Sequence, residues 1–384
     1  MKKGGKPEDL GEANRMLILN CLRLNGSMSK ADLARKLGMS FPAISANVKI
    51  LIEQGHVRES GEGDNSLGRK SMLLSFNEEM GFVIGVDIGR FWIRVMVADL
   101  MGKVLGYVKA PAVSGDDAEE LHDAVVEVIR QALAKSGKTE QDILCIGMGL
   151  PGVIRGDTIL LAPYFPDIDL KAFKKRIAEE FETELILENS VNMGAIGEQA
   201  EGAGKGYGNF IVINYGVGVG SALVLNGRIY SGSHNAAGEI GYMVAEPMKL
   251  RGSFEEVGVL ESIISKEKIE KFISHDNFQQ EVEKLVERYR ADDLYVRSVL
   301  DEISVNIGVT LINLCAALDL EAVIISGGLG TAFGNVFIDT WRSILRNHIP
   351  FPPEIVLSKL DNKEGVLGAI HKSIEHLFTA ESII

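Results

Sequence analysis

Apolar and polar positions along this chain follow two periods, and the balance between them shifts near residue 80. Over residues 14–24 (NRMLILNCLRL) apolar side chains recur at helical spacing, and Asn25-Gly26 predicts the end of that helix. Ser29, followed by Lys30-Ala31-Asp32, predicts an N-cap with an acid at the third position. Leu33, Ala34 and Leu37 supply the stripe of this second helix, and Gly38 breaks it. Ser40 opens a third helix with Pro42 in its first turn, where a missing N–H costs nothing. Ile44, Val48, Leu51 and Ile52 form its apolar face, and Gly55 stops it. Residues 57–60 and 72–76 then read as a β-hairpin whose Gly- and Asp-rich tip contains Gly68-Arg69-Lys70.

From Gly81 the pattern becomes that of an α/β protein. GFVIGVDIG, WIRVMVADL and KVLGYVKA read as strands, the last two joined by a turn at Met101-Gly102. A helix over 117–136, the strand ILCIGMGL, a Pro151-Gly152 loop, a helix over 173–181 and the strand ELILEN follow. A second set begins near Asn209, where NFIVINYG and SALVLNGRIY flank a Gly-rich loop at 216–220. Helical stretches over 260–288 and 292–318, the strand AVIIS, a tight Gly327-Gly328 loop and a helix over 334–347 complete it. A strand–loop–strand hairpin opens both halves, which predicts two similar lobes with a cleft between them. The expected organisation is a winged helix-turn-helix over 1–76, a first lobe over 81–198 and a second over 199–384. The C-terminal helix is free to pack back on the first lobe.

Helix order, turn length and wing together point to DNA. SKADLARKLGMSFPAISANVKIL holds helix, turn and helix in ~20 residues. The third helix would enter the major groove, with Ser40, Ser45, Asn47 and Lys49 as candidate contacts. Arg69 and Lys70 at the wing tip could reach phosphates or the minor groove. The same pattern also suits a small module for protein contact. Net charge is −13, but residues 1–80 carry 12 Lys and Arg against 10 Asp and Glu, while the remainder carries 28 against 43. The acidic balance therefore belongs to the body.

With 46% apolar and 24% charged residues, the chain can bury a large core. No apolar run approaches the ~18 residues of a membrane helix, and MKKGGKPEDL lacks a leader's apolar core, so a cytoplasmic protein is expected. Cys21, Cys145 and Cys315 lie far apart outside any CxxC pair, and the seven histidines are scattered, so neither a disulfide framework nor a thiolate metal site is expected.

The stretch LILENSVNMGAIGE ends an apolar strand in Glu188-Asn189 and starts a helix at Ser190, the place where an α/β protein sets a ligand site. A phosphoryl-transfer enzyme would want a carboxylate there to accept a hydroxyl proton, and position 190 is serine. GVDIG, GLPGVI, LENSVNMGAIGE, NYGVGVGSALVLNGRIYSGSHNAAGEIGY and IISGGL, in that order, resemble the ROK family of sugar kinases and sugar-responsive repressors. The resemblance implies an actin/hexokinase-like (ribonuclease H-like) fold. The N-terminal winged helix is the mark of the repressor branch.

Carried over by position, the resemblance puts Ser190 where the kinases have their general base, an Asp. It puts Asp87-Ile88-Gly89-Arg90-Phe91 at a D-x-G-G-T phosphate loop, and Gly216-Val217-Gly218 at a G-T-G loop. Asp87, Gly89, Gly216, Gly218 and Gly328 then stand as nucleotide-loop remnants, serving tight turns or a retained nucleotide site. A zinc-ligating His of the kinases is replaced by Tyr242, with no cysteine before Cys315, so no metal is implied. Asn189 and Glu239 would hydrogen-bond sugar hydroxyls, and Pro151 and Gly152 would shape the wall. Ser190, Tyr242, Glu188 and His234 join the set, and Tyr164 and Phe165 would stack on a pyranose or plug the pocket. Glu188, Asn189 and Glu239 could equally cap helices and fix loops.

The reading is a regulator, a repressor by default, that binds operator DNA and a sugar or sugar derivative without a cofactor, as a homodimer or homotetramer with no membrane partner. The alternative is an ATP-dependent sugar kinase of glucose or N-acetylglucosamine type. A third reading makes the body an oligomerisation platform only.

Overall fold

The computed structural model describes residues 7–63, 71–113, 118–162, 165, 167–250, 252–255, 257–269, 272 and 278–379. Helix α1 runs Pro7–Asn25, starting ahead of the apolar pattern at a proline, which suits a first helical turn. A two-residue strand β1 (Met28–Ser29), α2 (Lys30–Leu37) and α3 (Phe41–Glu53) follow. Then come β2 (Val57–Gly63) and β3 (Ser71–Phe76), and the three strands form an antiparallel sheet in the order β1-β3-β2. The Ser29 hydroxyl accepts from Asp32 N at 3.2 Å and donates to the Asp32 carboxylate at 2.7 Å, so α2 is capped as its sequence predicts. Gly38 closes α2 in the left-handed region, and Ser40 caps α3 through Ala43 N. The wing-tip residues Arg69 and Lys70 lie outside the described residues.

The first lobe is built on β4 (Phe82–Ile88), β5 (Trp92–Asp99) and β6 (Val104–Pro111), followed by α4 (Ala118–Ser136) and β7 (Ile143–Leu150). A small hairpin, β8 (Val153–Arg155) and β9 (Thr158–Leu160), precedes α5 (Leu170–Glu180), β10 (Leu185–Asn189) and α6 (Ser190–Glu201). The second lobe holds β11 (Phe210–Tyr215), β12 (Val219–Leu225), β13 (Arg228–Ile229), α7 (Val259–Ile264), α8 (Lys266–Ile269), α9 (Phe278–Arg290) and α10 (Leu294–Leu318). It continues with β14 (Ala322–Ser326), α11 (Gly328–His348) and β15 (Glu354–Leu357), and α12 (Glu364–Leu377) ends the described chain.

The two sheets have the same topology. Strand order is β10-β7-β4-β5-β6 in one and β13-β12-β11-β14-β15 in the other, each with an antiparallel three-strand meander extended by two parallel strands. Parallel extension needs crossovers, which the helices supply.

Four element expectations change. The stretch read as one helix over 260–288 is broken, because Ser265 takes an extended conformation that ends α7. Helix α5 starts at Leu170 rather than 173, capped by the Asp169 carboxylate on Ala172 N at 2.9 Å. Helix α11 starts at Gly328, so only Gly327, at φ 82°, forms the turn. Finally, α10 is by length and composition apolar enough to cross a membrane, contrary to the run-length reading. Val296, Leu300, Ile303, Ile307 and Leu311 take that apolar side into the core of the second lobe.

Helix α12 packs on β4 and β7 of the first sheet and crosses α6, which itself also packs on β11 and β12 of the second. These contacts are closed by glycine. A Cβ on Gly368 would stand 1.7 Å from Met193 O, and one on Gly197 would stand 2.1 Å from Glu364 O. On the sheet side, Gly147 and Gly85 meet Ala369 O and Val366 O at 2.4 and 2.5 Å in the same sense.

The far end of α12 carries the winged helix. Ile370, Ile374 and Phe378 share one core with Ile18, Leu22, Ile44, Leu51, Leu74 and Phe76. The Phe378 ring meets Phe76 edge-on at 5.5 Å and lies 5.0 Å beneath the Arg23 guanidinium, and its carbonyl accepts from Asn20 Nδ2 at 2.7 Å.

Gly368→Ala should therefore destabilise the protein by at least ~2 kcal/mol, since overpacking here meets backbone that cannot swing aside. Gly328→Ala, with nothing within 4 Å of the added methyl, should cost little. Thermal unfolding of both full-length variants against wild type checks the pair.

Candidate functional site

A cleft of about 1030 Å³ opens between the lobes. That matches the upper end of small-molecule sites, ~300–1,000 Å³. The carboxyl ends of β4, β7 and β10 form one wall, and the loop between β11 and β12 with the start of α11 forms the other. Asp87, Gly89, Pro151, Gly152, Asn189 and Ser190 face it from the first lobe. Gly216, Gly218, Glu239, Tyr242 and Gly328 face it from the second. Phe165 lines it, Tyr164 lies outside the described residues, and His234 is exposed and away from the lining.

Local structure holds these side chains firmly. Asn189 caps α6: its Oδ1 accepts from Val191 N at 2.8 Å and Asn192 N at 3.1 Å, while its Nδ2 donates to Gly152 O at 2.7 Å. One amide hydrogen is left for a ligand. Glu188 uses Oε1 to accept from Asn189 N and Asn192 Nδ2 at 2.9 and 3.0 Å, and it does not line the cleft. It fixes the turn into α6. Ser190 is the first residue of that helix, a hydroxyl beside the partial positive charge of a helix N-terminus.

Glu239 follows Gly238, whose φ of 91° and close approach to Ser221 O admit only glycine. Burial, then the nearby Glu261 carboxylate, pushes the Glu239 carboxyl above its ordinary range. Tyr242 stacks on Phe254 at 5.6 Å. At the position of a zinc-ligating His, this phenol pairs with another ring. Among the described residues no three His, Cys, Asp or Glu gather to hold an ion, so the donor set does not fit zinc.

The first phosphate-loop position differs most from a nucleotide site. Asp87, Arg94 and Lys109 occupy one cross-strand row on β4, β5 and β6. Arg94 Nη1 donates to Asp87 Oδ2 at 3.0 Å, with both side chains nearly buried. Burial raises the Asp87 carboxyl and Arg94 opposes that rise. Lys109 lies over the Trp92 ring at 3.9 Å, its ammonium lowered by burial and then by Arg94. Sequence reading missed Arg94, although the hairpin register of GVDIGRFWIRV sets it opposite Asp87.

Glu364, also missed, begins α12 on the cleft floor. Its Oε2 and the Glu198 Oε1 find no hydrogen-bond partner among the described residues. No sequence pattern marks it, because burial comes from the α6–α12 crossing.

In the winged helix, Lys49 is exposed and Ser45 half-buried on α3, and Ser40 is an exposed cap. Asn47 is a correction. It is 9% exposed and donates through Nδ2 to Ala43 O at 2.9 Å, so it faces the core and not the groove. Position 47 falls on the same side of the helix as Ile44 and Leu51, which the polar side chain concealed.

Burial pushes the Glu364 carboxyl up to about 7, and the Glu198 and Asp87 carboxylates add to this against Arg94. The folded state thus holds a proton that the unfolded chain, titrating at 4.5, has released, and stability falls as pH rises through that window. Glu364→Gln should gain stability over wild type at pH 8, on the order of a few kcal/mol, with the gain shrinking toward pH 5. Denaturation of both proteins at the two pH values checks it.

Comparison with known proteins agrees with this geometry. Residues 83–374 match the ROK family, and residues 12–58 match a winged helix-turn-helix DNA-binding module. The xylose repressor of Caldicellulosiruptor bescii is 25% identical, the alignment covering 96% of this chain and 97% of that protein. A ROK family transcriptional regulator, a homolog of the Escherichia coli MLC protein, superposes with a TM-score of 0.76 at 18% identity, covering 98% of this chain and 99% of its own. The ROK hexokinase from Thermus thermophilus superposes with a TM-score of 0.63 at 22% identity, over 78% of this chain and all of its own, which establishes an actin/hexokinase-like fold. With the family match spanning most of its length, the chain belongs to the ROK family and carries a winged helix-turn-helix ahead of its ROK domain.

Proposed function

We propose that this protein is a sugar-responsive transcriptional repressor, acting in the cytoplasm as a homodimer or homotetramer and releasing operator DNA when a sugar fills the cleft. One observation carries the reading. Helix α12 starts on the cleft floor at Glu364 and Gly365, and Phe378, its C-cap, lies under the winged helix. A change in lobe closure that moves α12 moves the DNA-binding module with it. Half-sites lie ~34 Å apart or a multiple of that, so a modest rotation of the two modules in a dimer breaks register. Shifting the population from mostly bound to mostly free needs several kcal/mol of differential sugar affinity. Asn189, Ser190 and Glu239 are the proposed hydroxyl partners, and Pro151 and Gly152 shape the wall. The wing, through Arg69 and Lys70, adds backbone contacts.

The kinase reading fares worse on the same geometry. Ser190 supplies no base, Val217 supplies no hydroxyl to the second phosphate loop, and Arg94 already neutralises Asp87. Asp87 then serves the fold, Gly89, Gly216 and Gly218 lie in the loops after β4 and β11, and Gly328 opens α11.

The test is operator binding by fluorescence anisotropy with a sugar panel led by D-xylose and D-glucose, together with a coupled ATP-consumption assay. Wild type should lose affinity with one sugar. Glu239→Ala should bind operator normally but need at least tenfold more sugar, as a charged hydrogen bond is worth ~1.5–3 kcal/mol. Phosphorylation should stay at background, and turnover near ~1 s⁻¹ would restore the kinase reading.

A further inference from the structure

Helix α3 carries an unusual surface for a helix that enters a groove. Its outward arc holds Phe41, Pro42, Ala46, Lys49 and Ile50, with Ser45 half-buried between them. Phe41 is 55% exposed at the N-terminal end, where such helices meet base edges, and it takes no part in the domain's core. The core is complete without it: Ile44, Val48 and Leu51 fill the inner face.

The polar code is correspondingly thin. Bidentate reading of adenine takes Asn or Gln, and of guanine Arg or Lys. Asn47, the helix's one amide, is turned inward onto Ala43 O, and α3 contains no Arg or Gln. Ser40 is engaged as the cap, and Lys49 lies 3.8 Å from Glu53 one turn further on. What the first turns of the helix offer a base edge is an aromatic ring, a proline and an alanine methyl, with the half-buried Ser45 as the one further polar side chain. In the major groove the one methyl group among the four bases is the thymine C5-methyl.

We infer that Phe41, with Ala46 more than a turn further along the outward arc, reads thymine methyl groups, so that the helix selects its half-site through apolar contact more than through hydrogen bonds. The inference rests on the DNA-binding reading above and adds which base and which atom are read. Removing one buried methyl corresponds to about a fourfold loss of affinity.

The test uses full-length protein to enrich duplexes from a random-sequence library. The enriched duplex is then synthesised with thymidine and with deoxyuridine at single positions, which removes the methyl and keeps every hydrogen-bonding group. Wild type should enrich half-sites containing thymine and bind the uracil duplex about fourfold more weakly at one or two positions. Phe41→Ala should bind the thymine duplex more weakly and show no uracil penalty there, with its melting temperature unchanged. Phe41→Leu should keep a penalty. Equal binding of the two duplexes by wild type overturns the inference, as does a uracil penalty that persists in Phe41→Ala. Undiminished binding by Phe41→Ala assigns the ring to another partner and overturns it too. Failure to enrich any duplex overturns the DNA-binding reading itself, and this inference with it.

Discussion

The contact between α6 and α12 is backbone against backbone at its tightest points. At Gly197 and Gly368 the helices approach so closely that a single methyl group on either would overlap a carbonyl oxygen. Helix α6 leaves the cleft at Ser190 and spans both sheets, whereas α12 lies on the first sheet and reaches the winged helix. Backbone approach this close leaves the two helices little room to slide, because packed interiors do not deform continuously. It also sets the position of Glu364, forced into a buried place beside Glu198 and Asp87.

Electrostatics at the cleft floor follow from that burial. In a nucleotide site, a carboxylate like Asp87 would face the phosphate region. Here Arg94, its cross-strand neighbour, holds it from the protein side. Removing either partner would leave a buried charge uncompensated, which typically costs ~3–5 kcal/mol. The pair therefore ties the carboxyl end of β4 into the fold. The proposed hydroxyl partners sit around it, with Asn189 bonded to Gly152 and Glu239 placed by Gly238. The proposed function needs only that wall, with hydroxyl partners and no phosphate contacts.

Much of this was legible in the sequence because caps, turns and apolar periods are local. Ser29, Gly38 and Ser40 bounded their helices as read, and the repeated strand–loop–strand pattern disclosed the duplicated sheets. What escaped was set by long-range contact. Asn47 reads as a polar surface residue until the helix phase turns it inward, and Glu364 reads as a solvated acid until α6 covers it. Helix α10 reads only as a helical stretch, and the apolar face of its 25 residues is absorbed by the second-lobe core. Arg94 was recoverable, because counting across the β4–β5 turn pairs it with Asp87.

The central claim is that the cleft and the winged helix are thermodynamically one system joined through α12. Linkage requires the coupling to be reciprocal. Calorimetry of the responsive sugar against free and operator-saturated protein measures it directly. Wild type should bind the sugar more weakly when operator is present, by the same factor in which the sugar weakens operator binding. With Phe378→Ala, which empties the joint under the winged helix, the two sugar affinities should converge. Equal sugar affinity for free and operator-bound wild type would contradict the account.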